Sequence, residues 1–100
     1  MDLLLVERAV VCEPITVEVD PSSSPARPRL TGYWRRGEFC AVRKVLEIRP
    51  EVGETYYRVL TDRGAAELRR YRRVDPRTLR AAAAWELCAD LDAVPIPRLR

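Results

Sequence analysis

Five clusters of turn-forming residues punctuate this chain, and they constrain its fold more than any other feature. They are Pro21-Ser22-Ser23-Ser24-Pro25 with Pro28, Arg36-Gly37, Pro50-Glu51-Val52-Gly53-Glu54, Asp62-Arg63-Gly64 and Asp75-Pro76. Proline removes a backbone donor and glycine admits positive φ, so each cluster marks a reversal or a loop. Connections this short join neighbouring antiparallel strands.

The segments between them carry β signals. Ile15, Val17 and Val19 alternate with Thr16, Glu18 and Asp20, the period of a half-buried strand. Leu3 to Cys12 has no alternation and reads equally as an earlier strand or a turn of helix. Arg29–Arg35 holds Leu30, Tyr33 and Trp34, and Arg36-Gly37 fits a tight hairpin connection. In Glu38–Ile48 the more apolar face is Cys40, Val42, Lys44, Leu46 and Ile48, which leaves Phe39 to mark a bulge or an edge contact. Thr55–Thr61 is aromatic and β-branched. Beyond the turn, Ala66, Leu68 and Arg70 alternate against Glu67, Arg69 and Tyr71.

Asp75-Pro76 reads differently. Aspartate at an N-cap with proline in the first helical position starts a helix, and Ala81–Ala84 are the best helix formers. Leu79, Ala83, Leu87 and Leu91 recur every fourth residue as a stripe that packs on a sheet. The expectation is a mainly β (α+β) single domain. A small curled antiparallel sheet, or SH3-like open barrel of four or five strands, spans 13–71. One C-terminal helix follows over 75–92 and a tail over 93–100.

Composition narrows the function. At 100 residues and 47% apolar, the chain has the size and balance of one globular domain. Its apolar runs fall short of the roughly 20 residues that span a bilayer, and Leu3-Leu4-Leu5-Val6 lacks the preceding positive region of a signal peptide. The expectation is cytoplasmic, with no membrane partner. Cys12, Cys40 and Cys88 lie too far apart for a metal-ligand pattern and read as small buried hydrophobes. Histidine is absent, which removes the commonest general base and metal ligand, so no enzyme activity, cofactor or metal is expected. Asparagine and glutamine are absent too, a composition like that of thermophiles. Seventeen arginines to one lysine also fits a GC-rich coding bias.

Charge is uneven. Fifteen of the eighteen basic residues lie between Arg27 and Arg80 against seven acids, so this middle segment carries +8 within a chain of net +3. Aromatics adjoin the arginines in three places: Trp34-Arg35-Arg36, Tyr56-Tyr57-Arg58 and Leu68-Arg69-Arg70-Tyr71-Arg72-Arg73. Bases stack on aromatic faces while arginines track phosphates, so Trp34, Arg35, Arg36, Tyr57, Arg58, Arg69, Tyr71 and Arg72 form the candidate nucleic-acid-binding set. The competing reading places Trp34, Tyr57 and Phe39 in the core with arginines solvating the outer face. Alternation also divides Arg69 and Arg73 from Arg70 and Arg72 between two faces.

Three segments read in order resemble a small bacterial family of unknown function. They are Pro14-Ile15-Thr16-Val17, Trp34-Arg35-Arg36-Gly37-Glu38-Phe39-Cys40-Ala41-Val42 with Val45-Leu46, and Tyr56-Tyr57-Arg58-Val59. The resemblance covers about residues 13–71. Leu30 stands where that family favours an aromatic, and Phe39 where it favours tyrosine. Similar segments are appended to Y-family translesion DNA polymerases, which implies a DNA-linked accessory role without assigning any binding residue. The family closes on a W-x-L strand, to which Trp85-Glu86-Leu87 corresponds, whereas the local cap and alanines favour helix. The functional expectation is a non-enzymatic module that binds nucleic acid in DNA maintenance. The alternative is a protein-interaction or self-assembly module with no nucleic-acid role.

Overall fold

A computed structural model describes residues 2–96. They form six strands: β1 (Asp2–Val19), β2 (Leu30–Arg35), β3 (Glu38–Glu51), β4 (Glu54–Thr61), β5 (Gly64–Val74) and β6 (Ala81–Ile96). Each pairs antiparallel with the next, and β6 returns to β1, closing a barrel in the order β1-β2-β3-β4-β5-β6. Four or five strands in an open sheet thus become six in a closed one, and closure removes the free edges that a small sheet otherwise exposes.

β1 makes the closure possible by serving two neighbours in turn. Leu3 to Ile15 pair with β6, whereas Thr16 to Val19 pair with β2. Register shifts between Glu7 and Ala9 and between Val10 and Glu13, with Cys12 at φ 54°, bend the strand from one ladder to the other. The hairpin turns follow the sequence closely. Arg36 and Gly37 take φ of 52° and 78°, the pair of positive values a two-residue turn needs.

The expected helix over 75–92 is not present: Ala81–Ile96 is strand. The cap interaction does form, since Asp75 Oδ1 accepts the Arg77 backbone N–H at 2.8 Å. It closes a turn instead of starting a helix. Leu79 enters the left-handed region at φ 57°, and the Asp75 N–H donates to the Arg80 carbonyl at 2.9 Å, which reverses the chain. From Trp85 onward the strand pays for itself in ladders on both sides. Leu87 sits opposite Leu68 of β5 and Glu13 of β1, so a helix here would strand the backbone donors and acceptors of both neighbours. The tail expected over 93–100 belongs to β6 as far as Ile96, and its remainder, 97–100, lies outside the described residues.

The core fills the barrel. Tyr57 and Val59 of β4, Ala66 and Leu68 of β5, Leu87 of β6, and Leu30, Tyr33 and Cys40 are buried together, with Ile15, Val17, Val45 and Trp85 packed around them. Fully burying Leu68, Leu87 and Val59 stabilises by about 1.5–3 kcal/mol each. Of the three cysteines read as buried, only Cys40 is; Cys12 is exposed and Cys88 lies between. Gly32 has a stricter reason to be glycine: a Cβ there would lie 2.2 Å from the Phe39 ring. Phe39 is therefore an outer-face contact, packed over Gly32 and tilted against Trp34 at 5.1 Å.

The molecule measures 59 × 26 × 26 Å, and β6 accounts for its length. The start of β6 outruns β1 and β4: Arg72, Arg73 and Val74 pair only with Ala83, Ala82 and Ala81. Its end outruns β5, and Asp92 to Ile96 pair only with Val6 to Asp2. A two-stranded ribbon therefore projects from each end of the barrel. Among the described residues no helix crosses a membrane.

Candidate nucleic-acid interface

The eight residues singled out in the sequence do not form one face. Tyr57 is 4% exposed and packs on Trp85 at 5.1 Å between ring centres, inside the barrel and out of reach of a ligand. Tyr56 and Tyr57 are adjacent, so alternation turns one ring in as it turns the other out. Trp34 is 43% exposed, but its indole N–H donates to Glu18 Oε1 at 3.0 Å and one face leans on Phe39. It stands on β2, with β1 between it and β6.

Arg35 and Arg36 belong to the barrel mouth near the acidic end of β6. Arg35 grips Glu13 with Nε at 3.1 Å and NH2 at 3.2 Å, and its NH1 lies 3.3 Å from Asp90 Oδ2. Arg36 adds a contact to Glu13 at 2.9 Å. The Arg35 hydrogen bonds hold the Glu13 carboxyl below the usual carboxylate range, and the same contact raises Arg35 further above neutrality. Arg63 pairs with Glu38 across the same opening and lowers that carboxyl too. Tyr33 and Cys40 floor this cleft of about 440 Å³, and burial pushes the Tyr33 phenol well above its usual value. Every arginine at this mouth already faces a carboxylate, so it offers little to an added anion.

Arg58 and Arg69 belong to a second paired system on the outer face of β3, β4, β5 and β6. Arg58 Nε lies 3.4 Å from Glu67, which also receives Arg49 at 3.9 Å. Arg69 NH1 contacts Glu54 at 3.0 Å and its NH2 lies 3.6 Å from Glu86. Its guanidinium stacks 4.2 Å over the Tyr71 ring, as that of Arg49 does 4.8 Å over Tyr56. Tyr56 donates its hydroxyl to Glu54 at 2.9 Å, a bond that raises its pKa. Three arginines are thus shared among four glutamates (Glu51, Glu54, Glu67 and Glu86) along and across the strands, and each stacking ring already carries a cation.

The cations left over stand elsewhere. Among the described residues eight cations make no salt bridge: Arg70, Arg72, Arg73, Arg77 and Arg80 on the β5–β6 ribbon or at its base, Arg27 in the 20–29 loop, and Arg43 and Lys44 exposed on β3. Arg70 anchors the base by donating to the Pro25 carbonyl at 3.3 Å, which brings the 20–29 loop with Arg27 to the same end. Across the ribbon two of the arginines face alanines: Arg72 opposite Ala83, and Arg73 opposite Ala82. Alanine leaves the space beside the guanidinium empty. One face has a shallow groove of about 460 Å³ between Arg70, Arg72, Ala81 and Ala83; the other has one of about 480 Å³ between Arg73, Arg77, Arg80 and Ala82.

Of the sequence-predicted set, only Tyr71 and Arg72, with Arg69 beside them, stand at this ribbon. Arg70 and Arg73 stood in the cluster that alternation divides between two faces and were left out of the set, and Arg77 and Arg80 were missed because 75–92 read as helix. The signal that finds them is the period-two set Trp85, Leu87, Ala89 and Leu91 against Glu86, Cys88, Asp90 and Asp92, which makes 81–96 a strand and 75–80 its turn. Among the described residues no three cysteine, aspartate or glutamate side chains come together to hold a metal ion. No protein-family model, curated protein or solved structure matches the chain.

Proposed function

We propose that this protein is a nucleic-acid-binding module whose contact surface is the β5–β6 ribbon. The observation that carries the reading is the sorting of the arginines. Those at the mouth and most on the barrel wall are paired with carboxylates, Arg43 and Lys44 on β3 being the exceptions, whereas the five on the ribbon or at its base form no salt bridge. An unpaired guanidinium keeps its full value for a phosphate, because no internal ion pair has to be broken first. The resemblance of residues 13–71 to segments found beside DNA polymerases supports a DNA-linked setting. The barrel's part is to hold the ribbon rigid at its base.

Binding to a labelled oligonucleotide, titrated at several salt concentrations, tests the reading. Phosphate contact by four or five arginines gives a log–log slope of roughly −3 to −4.5. Absence of binding at low salt would remove the reading. A second reading, self-association, is favoured by the opposite ribbon, where Leu4, Val6, Val94 and Ile96 are exposed. It would appear as a salt-insensitive monomer–dimer equilibrium in sedimentation.

A further inference from the structure

The tip of the β5–β6 ribbon holds a residue that neither packing nor turn chemistry calls for. Leu79 is 80% exposed and sits at φ 57°, a conformation that strains an L-residue with a branched side chain and that glycine adopts freely. The turn around it is well tied. The Leu79 N–H donates to the Asp75 carbonyl at 2.8 Å, and Thr78 Oγ1 accepts the Arg80 N–H at 3.3 Å. The strain therefore serves to hold a bare apolar side chain outward, between Arg77 and Arg80, at the far end of a cationic ribbon.

The ribbon carries cations on both faces, Arg72 on one and Arg73 on the other. On a flat surface that division would waste half of them. In a groove of duplex DNA it does not, because phosphates line both walls. An apolar side chain leading two arginines is the arrangement that wedges between base steps, unstacks them and opens the minor groove around the intruding element.

Resting on the nucleic-acid reading above, we propose that the β5–β6 ribbon enters the minor groove of duplex DNA tip first. Leu79 intercalates there as a wedge that bends the duplex, while Arg72, Arg73, Arg77 and Arg80 neutralise the flanking phosphates. The ligand class is double-stranded, A·T-rich DNA, whose minor groove concentrates negative potential.

The test uses a 30-base-pair A·T-rich duplex carrying a fluorescence donor and acceptor at its ends, with the full chain. The expected result is a rise in energy transfer corresponding to a bend of roughly 20–90°. Netropsin, which fills the A·T minor groove, should displace the protein. Leu79→Gly should abolish most of the bend and weaken binding about tenfold, yet raise the melting temperature by about 4 °C by releasing the strained backbone. A merely structural Leu79 would lower both. Leu79→Met, which keeps an apolar wedge, should restore the bend.

Binding without bending, indifference to netropsin, preference for single strands, or an unchanged bend in Leu79→Gly would each overturn the proposal while leaving nucleic-acid binding intact. Failure to bind either duplex or single strand would remove both readings.

Discussion

The outer wall of the barrel and the β5–β6 ribbon share strand β5 and the same kind of residue, yet they behave as opposites. On the wall, Arg58 and Arg69 are half-buried, stacked or bridged, and shared among Glu54, Glu67 and Glu86. A few residues further along β5, Arg72 and Arg73 stand opposite alanines and form no salt bridge. Burial and pairing, not residue type, separate an arginine that holds strands together from one that is available to a partner. Local density of positive charge is therefore a poor guide to a binding surface when each strand has neighbours that the sequence does not reveal.

That contrast can be broken most forcefully by removing the ribbon's charge. Replacing Arg72, Arg73, Arg77 and Arg80 by alanine together should reduce the salt slope of oligonucleotide binding by about 3–4 and all but abolish binding at moderate salt. The melting temperature should scarcely move, since the four side chains are exposed. Retained binding would mean that the wall is the interface after all.

The converse substitution sharpens it. Arg69→Met keeps the aliphatic stem but leaves Glu54 and Glu86 facing each other, and should cost about 1–2 kcal/mol in a urea melt with little change in salt slope. Cys88 supplies a local readout. Its thiol contacts Glu86 at 3.7 Å, and burial, with that carboxylate, pushes it up to about 12. Labelling of Cys88 at pH 8 should be slow in the native protein and slower still in Arg69→Met, which removes the cation that opposes the rise and leaves the Glu86 carboxylate uncompensated.

The smallest effect distinguishes the regions by pH. Glu13 and Glu38 have folded-state pKa values below the ordinary 4.5, so the stability they contribute is present above that value and is lost as pH falls through the lowered folded value. Glu13→Gln should flatten part of the fall in stability between about pH 5 and 3, measured by denaturant titration. Ribbon binding should not change between pH 5 and 8, because arginine stays charged and the chain has no histidine.

Much of the fold was legible because β2 to β5 are joined by turns whose chemistry is local. Arg36-Gly37 and Asp62-Arg63-Gly64 announce their reversals, and Ala66 and Leu68 alternate with Glu67 and Arg69 as they do in the barrel. β6 was not legible for an equally local reason. Asp75-Pro76 and four alanines favour helix by themselves, and only pairing with β1 and β5 overrides them. The site was legible only in part. The pairing of Arg35 joins Glu13 to Asp90, residues 77 apart in the chain, and no reading of neighbours predicts it. Tyr57, beside Tyr56 in sequence, is on the other side of the wall.

The double pairing of β1 has a consequence for how the barrel assembles. The four hairpins from β2 to β6 bring together residues close in sequence, whereas the β1–β6 seam joins Leu5 to Ala93 and Ile15 to Trp85. Contacts of such high sequence separation carry the greatest loop-closure entropy, which predicts that the seam forms last, after the transition state. Conservative substitutions at Ile15 should then mainly accelerate unfolding, while those at Val59 and Ala66 slow folding, a difference that stopped-flow kinetics would resolve. Until the seam closes, β1 and β6 each present an unpaired edge, and it is in that interval that the chain is most exposed to intermolecular pairing.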